Sequence, residues 1–570
     1  MLNLIIKNTH FKIDYSESSK KTEIIKFLKE KFTFQDSSLL NTWEVKKKLK
    51  SPYISFYEES YDILPTGFLA FTKLFLKKNN YEYKITDLRK FPSVNTEFLN
   101  SAISFTDFKG NKYIPRDYQL EAVKEITSKR GGCIQIGTGL GKGFIHALLC
   151  HTYSKARILN IFDRIDLINQ TYDAFTNKYG FSSKDIGIIQ GTRVEDNKRI
   201  ILLSLQSYEN ALSVFPYVNV IIGDEAHSTM RNNTAEKIIF GCQNASVKIG
   251  LSATIDKVSN PYEQAKLYSI AGPIVYKKDI IDGIRENSLS PGDVIFHRYN
   301  SEPVEFKPTY QDVYETKKTK KPEFKNLSFT VTENSLKIIK RKEEVLEITD
   351  KEEIKKIEAV NMLNNKDLLL ETLSDYLRTE IENSYIKEGW IFFNKNGDRY
   401  MKKFKDYGNE SLLYIENNKR NSIIAELARK ETSKGRRTII LFNRLEHGKK
   451  LSELLPEGKL ISGINTINER NEVEAFIKQN KNGIVIVSTI WQTGKDIPEL
   501  ESFINASGGK SAISFIQKLG RLTRKAVNKK RFYFHDFDDS HLGGIGKKQT
   551  NERIKISLDL QLPVFYEEHN

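Results

Sequence analysis

The chain has 570 residues, a length that predicts three or four domains at about 150 residues each. Its 39% hydrophobic and 11% aromatic content can fill sizeable cores, which excludes wholesale disorder, and no apolar run approaches the roughly 18–20 residues that span a bilayer. Lys and Arg exceed Asp and Glu by 16, which favours a polyanionic partner over the plainer reading of a Lys-, Asn- and Ile-rich AT-biased composition.

Met1-Leu-Asn-Leu-Ile-Ile-Lys7 is too short an apolar stretch for a secretory signal. Cys133, Cys150 and Cys242 provide neither a disulfide framework nor a zinc cluster, so a soluble, cytoplasmic protein is expected. Residues 1–100 read as a small α/β accessory domain without a phosphate-binding loop. Leu64-Pro-Thr-Gly67 predicts a turn opening a helix, and Phe68, Leu69, Phe71, Phe75 and Leu76 recur at helical spacing toward a small core. The run Lys46-Lys47-Lys48 with Lys50 reads as a solvated face, with phosphate contact as the alternative.

Residues 101–285 change texture. Continuous apolar runs at Gly132-Cys-Ile-Gln-Ile, Ile158-Leu-Asn-Ile-Phe, Ile200-Ile-Leu-Leu-Ser, Val218-Asn-Val-Ile-Ile and Val247-Lys-Ile-Gly-Leu alternate with helical stretches. That pattern predicts a parallel sheet covered on both faces. It returns within 286–545 at Thr438-Ile-Ile-Leu-Phe, Lys459-Leu-Ile, Gly483-Ile-Val-Ile-Val and Ser502-Phe-Ile-Asn, giving a second α/β lobe. An insertion at about 305–410 separates the two textures, and 546–570 is read as a C-terminal tail. Residues 311–410 hold 20 basic and 20 acidic residues, so the insertion does not supply the basic surface. Within it 340–384 reads as mainly helical, while Trp390-Ile-Phe-Phe and Arg399-Tyr-Met-Lys-Lys-Phe flank Asn396-Gly397, a strong hairpin turn. A surface hairpin is the favoured reading there, a strand-separating wedge the alternative.

Two sites carry chemistry. Gly137-Thr138-Gly139-Leu140-Gly141-Lys142-Gly143 follows a strand and precedes a helix. Its glycines let backbone N–H groups approach phosphate oxygens, and Lys142 neutralises the β/γ phosphates. The loop departs from G-x-x-x-x-G-K-[ST]: Ile136 stands at the first Gly, and Gly143 replaces the Mg²⁺-binding hydroxyl. Alone, it reads equally as an ordinary Gly-rich turn. Val220-Ile-Ile-Gly-Asp224-Glu225-Ala226-His227 places two carboxylates at the carboxyl end of a buried strand. Asp224 suits Mg²⁺, directly or through water, and Glu225 suits orienting the attacking water; a lone Asp-Glu there would otherwise be a helix cap.

With these two sites together, Asp224-Glu-Ala-His227 resembles motif II of the superfamily 2 helicases, and further motifs follow in that family's order. Arg116-Asp-Tyr-Gln119 resembles the Q motif, which implies that Gln119 reads the adenine edge. Phe162 to Gln170, with Arg164, lies at motif Ia but lacks its usual Pro-Thr. Ser204-Leu-Gln206-Ser207 resembles the next strand-contacting element, Ser252-Ala-Thr254 motif III, and Phe442-Asn-Arg-Leu-Glu-His447-Gly448 motif IV. Thr489, Gly494 and Asp496 match motif V, and Gln517-Lys-Leu-Gly520-Arg521-Leu-Thr-Arg524 matches motif VI. A helix starting near Ser511 sets Gln517, Arg521 and Arg524 within reach of one face. Arginines so placed suit a γ-phosphate and the charge of the transition state.

The layout, with Ile63-Leu-Pro-Thr-Gly-Phe-Leu in a small domain ahead of two lobes, is similar to the phage UvsW type of recombination and branch-migration helicase. The resemblance implies two RecA-like lobes, ATP and Mg²⁺ as cofactors, and ATP-dependent 3′→5′ unwinding or branch migration of branched DNA in recombination, repair and replication restart. It implies catalytic roles for Lys142, Asp224, Glu225, Gln517, Arg521 and Arg524. Arg116, Gln119, Gly137, Thr138, Gly139, Gly141, Lys142, Gly143, His227, Gly494 and Asp496 would hold the nucleotide. Arg164, Gln206, Thr489 and Ser511 are DNA-contact candidates by motif position alone. Branched DNA is the expected partner, with single-strand-binding or recombination proteins beside it and no membrane. The alternatives are an RNA helicase, a double-strand translocase, and a non-hydrolysing nucleic-acid clamp or annealing factor, the last motivated by Gly143.

Overall fold

A computed structural model describes residues 1–16, 20–40, 42–301, 313–318, 327–331, 336–340, 343–348, 390–395, 398–404, 414–489, 497–542 and 544–569. The chain forms two compact units. The first comprises Met1–Asn300, Asn421–His541 and Lys547–Asn570; the second comprises Ser301–Arg420 and Leu542–Gly546.

In the first unit, the amino-terminal residues build a four-stranded sheet in the order Ile63–Pro65, His10–Asp14, Leu2–Ile6, Tyr83–Asp87. Alternation along Leu2–Ile6 buries Leu2, Leu4 and Ile6 against helices Lys21–Lys31 and Leu69–Lys78. The expected phenylalanine face forms: Phe68 packs on Phe32 with ring centroids 4.8 Å apart, and Phe75 stacks on Phe27. Gly67 has a reason of its own. A Cβ there would lie 2.0 Å from the Tyr268 carbonyl oxygen, so this glycine lets the small sheet domain press its backbone onto helix Pro261–Ala271. Phe56 on Tyr262 and Phe71 on Tyr268 extend that contact, with Asn260 Nδ2 donating to Asp36 Oδ1 at 3.1 Å.

The next sheet has eight strands in the order Arg193–Val194, Ile186–Gln190, Ile200–Ser204, Ile158–Phe162, Val220–Asp224, Val247–Ser252, Gly132–Ile136, Ile274–Lys278. All pairs are parallel except the edge pair of Ile186–Gln190 with Arg193–Val194. The five strands read from the sequence form its centre; Ile186–Gln190 and Ile274–Lys278 join them. The inner strands are buried on both faces, as their unbroken apolar runs require.

The second α/β lobe is an all-parallel sheet ordered Lys459–Ile461, Ile484–Ser488, Thr438–Phe442, Ser502–Asn505, Phe532–Asp538, Gly292–Tyr299, Val564–His569. Gly292–Tyr299 precedes the insertion yet belongs to this sheet, one strand in from its edge. Residues 546–570 do not trail away from it, because helix Gly544–Asp559 leads into Val564–His569, which pairs parallel with Gly292–Tyr299. Both sheets are thus RecA-like, α/β and parallel at their centres.

In the second unit, the described strands form two antiparallel three-stranded sheets, Val313–Lys318 with Asp398–Phe404 and Trp390–Lys395, and Leu327–Val331 with Leu336–Lys340 and Glu343–Ile348. Asn396 and Gly397 lie outside the described residues, but Lys395 pairs opposite Asp398, as a two-residue hairpin demands. The helical reading of 340–384 fails at its start. Glu343–Ile348 is a strand, because it pairs along Leu336–Lys340, with Leu346 opposite Ile338 and Ile348 opposite Leu336, which outweighs the helix propensity of the flanking Glu and Lys. Residues 349–389 lie outside the described residues. The unit's two ends meet, with Asn417 Nδ2 donating to Ser301 Oγ at 2.8 Å. Among the described residues no helix is long and apolar enough to cross a membrane.

Candidate functional site

The loop after Gly132–Ile136 turns through two glycines in the left-handed region, Gly139 (φ 87°) and Gly141 (φ 83°), before helix Lys142–Thr152 begins. Both are conformations that L side chains rarely adopt. Gly141 is also tight, because a Cβ would stand 2.4 Å from Gln119 Nε2. Gln119 is buried and spent on this loop: its Nε2 donates to the Leu140 carbonyl at 3.0 Å while its Oε1 accepts the Arg116 N–H at 2.9 Å. The Arg116 guanidinium donates to the Tyr118 hydroxyl, which donates to that same carbonyl. The Q-motif residues therefore brace the loop from behind. Gly137 N–H is taken by the Lys278 carbonyl at 2.8 Å.

Lys142 meets both carboxylates. Its Nζ lies 2.9 Å from Asp224 Oδ1 and hydrogen-bonds Glu225 Oε1. Burial would raise the Asp224 carboxyl, but the Lys142 ammonium and His146 hold it below the usual carboxylate range. Burial likewise pulls Lys142 down, and the two carboxylates more than offset it. Lys142 and Asp224 are therefore both charged. Glu225 Oε2 is buried without a hydrogen bond, and Asp224 Oδ1 is buried with only the Lys142 ammonium beside it. Glu225 sits at φ 46°, the left-handed region, and its carbonyl accepts the Ser228 and Thr229 N–H groups at 2.7 and 3.0 Å. A non-glycine residue there costs about 1–2 kcal/mol, which the short helix Ala226–Thr229 offsets by closing on that carbonyl.

His227 points across the site, with its Nδ1 2.6 Å from Ser252 Oγ, 3.3 Å from Thr254 Oγ1 and 3.4 Å from Glu225 Oε2. Burial, then Lys142 and Arg231, push its pKa down to about 4, so the ring is neutral near pH 7. Ser228 hydroxyl donates to the Asp163 carboxylate, and the Asp163 carbonyl accepts Gln206 Nε2 at 3.2 Å. An unbroken polar chain thus leads from Glu225 to the neighbourhood of Arg164 and Gln206, both exposed. Asp163 and Ser228 were not singled out in the sequence; their only signal was adjacency to Arg164 and His227.

From the second lobe, helix Ala512–Leu522 lies on the loop. A Cβ on Gly520 would stand 1.4 Å from Thr138 Oγ1, and that hydroxyl reaches the Ile516 carbonyl at 3.4 Å. Thr523 Oγ1 donates to the Gly520 carbonyl at 3.0 Å and approaches the Thr138 carbonyl at 3.5 Å. Gln517 and Arg521 ride on this helix. Arg524 does not, because the helix ends at Leu522: the Ser290 N–H takes the Thr523 carbonyl, and Ser290 Oγ and Lys529 take that of Arg524. Ser511 is exposed but engaged as the helix cap, accepting the Ser514 N–H at 3.3 Å. Thr489 follows strand Ile484–Ser488, and Gly494 and Asp496 lie outside the described residues.

The donor set fits a nucleotide and a hard cation. Lys142 supplies the cation that phosphate oxygens need, and the buried carboxylate oxygens of Asp224 and Glu225 are of the kind Mg²⁺ takes. At Gly143 nothing lies within 4 Å of an added Cβ, so the position of the missing hydroxyl is open space.

Residues 112–257 match the family "Type III restriction enzyme, res subunit", and residues 418–526 match "Helicase conserved C-terminal domain". The chain is 23% identical to "ATP-dependent DNA helicase uvsW" of Enterobacteria phage T4, over 96% of this chain and 92% of that protein. It is 24% identical to "DNA 3'-5' translocase XPB2" of Sulfurisphaera tokodaii, over 78% of this chain and 87% of that protein. The crystal structure of T4 UvsW aligns with 100% of this chain and 99% of its own, at a TM-score of 0.43 and 18% identity.

Proposed function

Because this chain is an ATP-dependent DNA helicase of superfamily 2, of the phage UvsW type, we propose that it moves 3′ to 5′ on DNA and unwinds or branch-migrates branched duplexes in recombination, repair and replication restart. Support for the polarity comes from the XPB2 relative, named a 3'-5' translocase, and for a DNA substrate from the T4 relative, named a DNA helicase; the branched substrate is what the resemblance to the UvsW type implies. The observation that carries the motor reading is helix Ala512–Leu522 seated on the Gly137–Gly141 loop, with Gly520 against Thr138.

In this reading Lys142 neutralises the nucleotide's terminal phosphates and releases its carboxylates when it does so. Asp224 would hold Mg²⁺, which when bound neutralises phosphate charge. Glu225, fixed by its left-handed backbone, orients the attacking water, and neutral His227 carries the change to Ser252 and Thr254. Arg521, one residue beyond the contact with Thr138, stabilises the transition state only while the lobes are closed. Asp163 links these events to Arg164 and Gln206, the DNA-contact candidates.

Steady-state ATP turnover with Mg²⁺, alone and with single-stranded DNA, a four-way junction or RNA, tests the proposal, with Lys142→Ala as the blank. Strong stimulation by the junction is expected. Stimulation by RNA alone would move the substrate to RNA, and no turnover above the blank on any polymer would leave a clamp.

A further inference from the structure

Three histidines stand in a row across the far edge of the second lobe's sheet. His535, on Phe532–Asp538, is buried; His297, on Gly292–Tyr299, is wholly buried; His569, on the outermost strand Val564–His569, is half-buried. Parallel register sets His297 opposite Glu567 and Tyr299 opposite His569. His297 Nε2 lies 3.0 Å from His535 Nδ1, and His297 Nδ1 lies 2.8 Å from His569 Nε2. This row takes no part in the ATP site.

His535 anchors the row from inside the sheet. His535 Nε2 faces Glu431 Oε2 at 3.7 Å, and Glu431 is a charged carboxylate, held well below its usual range against burial by His535, Lys434 and Arg436. His297 thus sets one ring nitrogen, Nε2, against His535 and turns the other, Nδ1, outward to His569. A histidine held by an outer partner on one nitrogen, with the other turned toward further ligand atoms, is the arrangement that metal-ligating histidines have.

That outward nitrogen does not face apolar packing. His297 Nδ1, His569 Nε2 and a Glu567 carboxylate oxygen all lie within 4.8 Å of one another, with Glu567 Oε2 3.8 Å from His297 Nδ1. Two imidazoles and a carboxylate select a borderline transition metal over Mg²⁺ or Ca²⁺, which prefer oxygen alone. Tetrahedral bonds of about 2.0–2.1 Å put ligand atoms about 3.3 Å apart, so the two rings need part by only about 0.5 Å. Glu567 and His569 are half-buried, which leaves a solvent path and a fourth position for water. One competitor is present: Lys430 Nζ pairs with Glu567 Oε2 at 3.2 Å and must swing aside.

We propose that His297, His569 and Glu567 bind one divalent transition-metal ion of the Zn²⁺ class, which clips the edge strand Val564–His569 to Gly292–Tyr299. The ion would join the sheet's outermost strand to its neighbour through side chains as well as backbone, at the place where a lone edge strand is held least firmly.

The test uses the full chain, stripped with a chelator and titrated with Zn²⁺ against a chromophoric indicator, in excess Mg²⁺ to occupy the carboxylates of the ATP site. His569→Ala and Glu567→Gln are the variants, chosen because truncating buried His297 endangers folding. One tight equivalent is expected in the parent. Each variant should bind it weaker by at least about 10–100-fold, the loss that even an outer partner of a ligating histidine causes. Hydrogen exchange of residues 564–569 should slow with Zn²⁺ in the parent and not in His569→Ala. Absence of a tight equivalent in the parent, or undiminished affinity in His569→Ala, would overturn the proposal.

Discussion

Gly520 and Thr138 occupy each other's space to the limit: a single methyl on the glycine would fall 1.4 Å from the threonine hydroxyl and 2.1 Å from its Cβ. Neither neighbour can yield without the lobes parting, since Thr138 belongs to the tight glycine turn and Gly520 to the interior of a helix. Gly520→Ala should therefore lower ATP turnover by at least about tenfold, which is 1.4 kcal/mol of barrier. Fold stability should hold within about 1 kcal/mol, because alanine is the better helix former. Adding Thr138→Gly should recover part of the loss; a double-mutant cycle on turnover reads that coupling.

Lys142→Ala should do more than stop hydrolysis. It strands Asp224 and Glu225 side by side with their shared cation gone. Leaving a buried charge unpaired costs about 3 kcal/mol. Urea unfolding should register that loss, and millimolar Mg²⁺ should return part of it by standing in for the ammonium. A variant as stable as the parent without Mg²⁺ would mean the carboxylates are not charged there.

Gly143→Ser fits without strain, as nothing stands near the new Cβ. It should gain about 0.5 kcal/mol from helix propensity. A hydroxyl at that position should also lower the Mg²⁺ concentration for half-maximal turnover. If the Mg²⁺ titration is unmoved, the glycine is a harmless substitution.

His227 carries a pH signature. Its folded pKa of about 4 lies below the free value of 6.5, so between those values the unfolded chain holds the extra proton. Its contribution is intact above pH 6.5 and is lost as pH falls toward 4, reaching about 2 kcal/mol at pH 5. Urea midpoints at pH 7 and pH 5 should separate less in His227→Gln than in the parent.

Asp163→Asn should leave basal turnover in place and blunt its stimulation by DNA. The Ser228 hydroxyl donates to the Asp163 carboxylate, and the amide weakens that charge-assisted link. Comparing kcat with and without saturating single-stranded DNA measures it; equal stimulation in both proteins would remove Asp163 from the coupling.

Much of this was legible from residues alone. Unbroken apolar runs such as Ile158–Phe162 can only be strands buried on both faces, and the fold brings the glycine loop and Asp224-Glu225, far apart in sequence, together through Lys142. What stayed hidden depends on neighbours remote in sequence. Glu343–Ile348 carries helix-forming residues and becomes a strand because Leu336–Lys340 pairs with it. Gln119 is braced by a carbonyl on the loop after a different strand, and Gly67 is explained only by the Tyr268 carbonyl. The histidine row draws one ring from each of three strands spread between residues 292 and 569, and no local window contains it.

The hydrogen bond from Asn417 to Ser301 has a practical reach. A segment whose two ends touch behaves as a cassette: taking it out and bridging Ser301 to Asn417 with two or three glycines spans no distance the chain does not already span. Loop-closure entropy then favours the shortened protein, since a short bridge costs less to close than the long excursion it replaces. The insertion can thus be swapped, grafted or dropped as a genetic part, and whatever it contributes to DNA handling can be weighed separately from the motor that carries it.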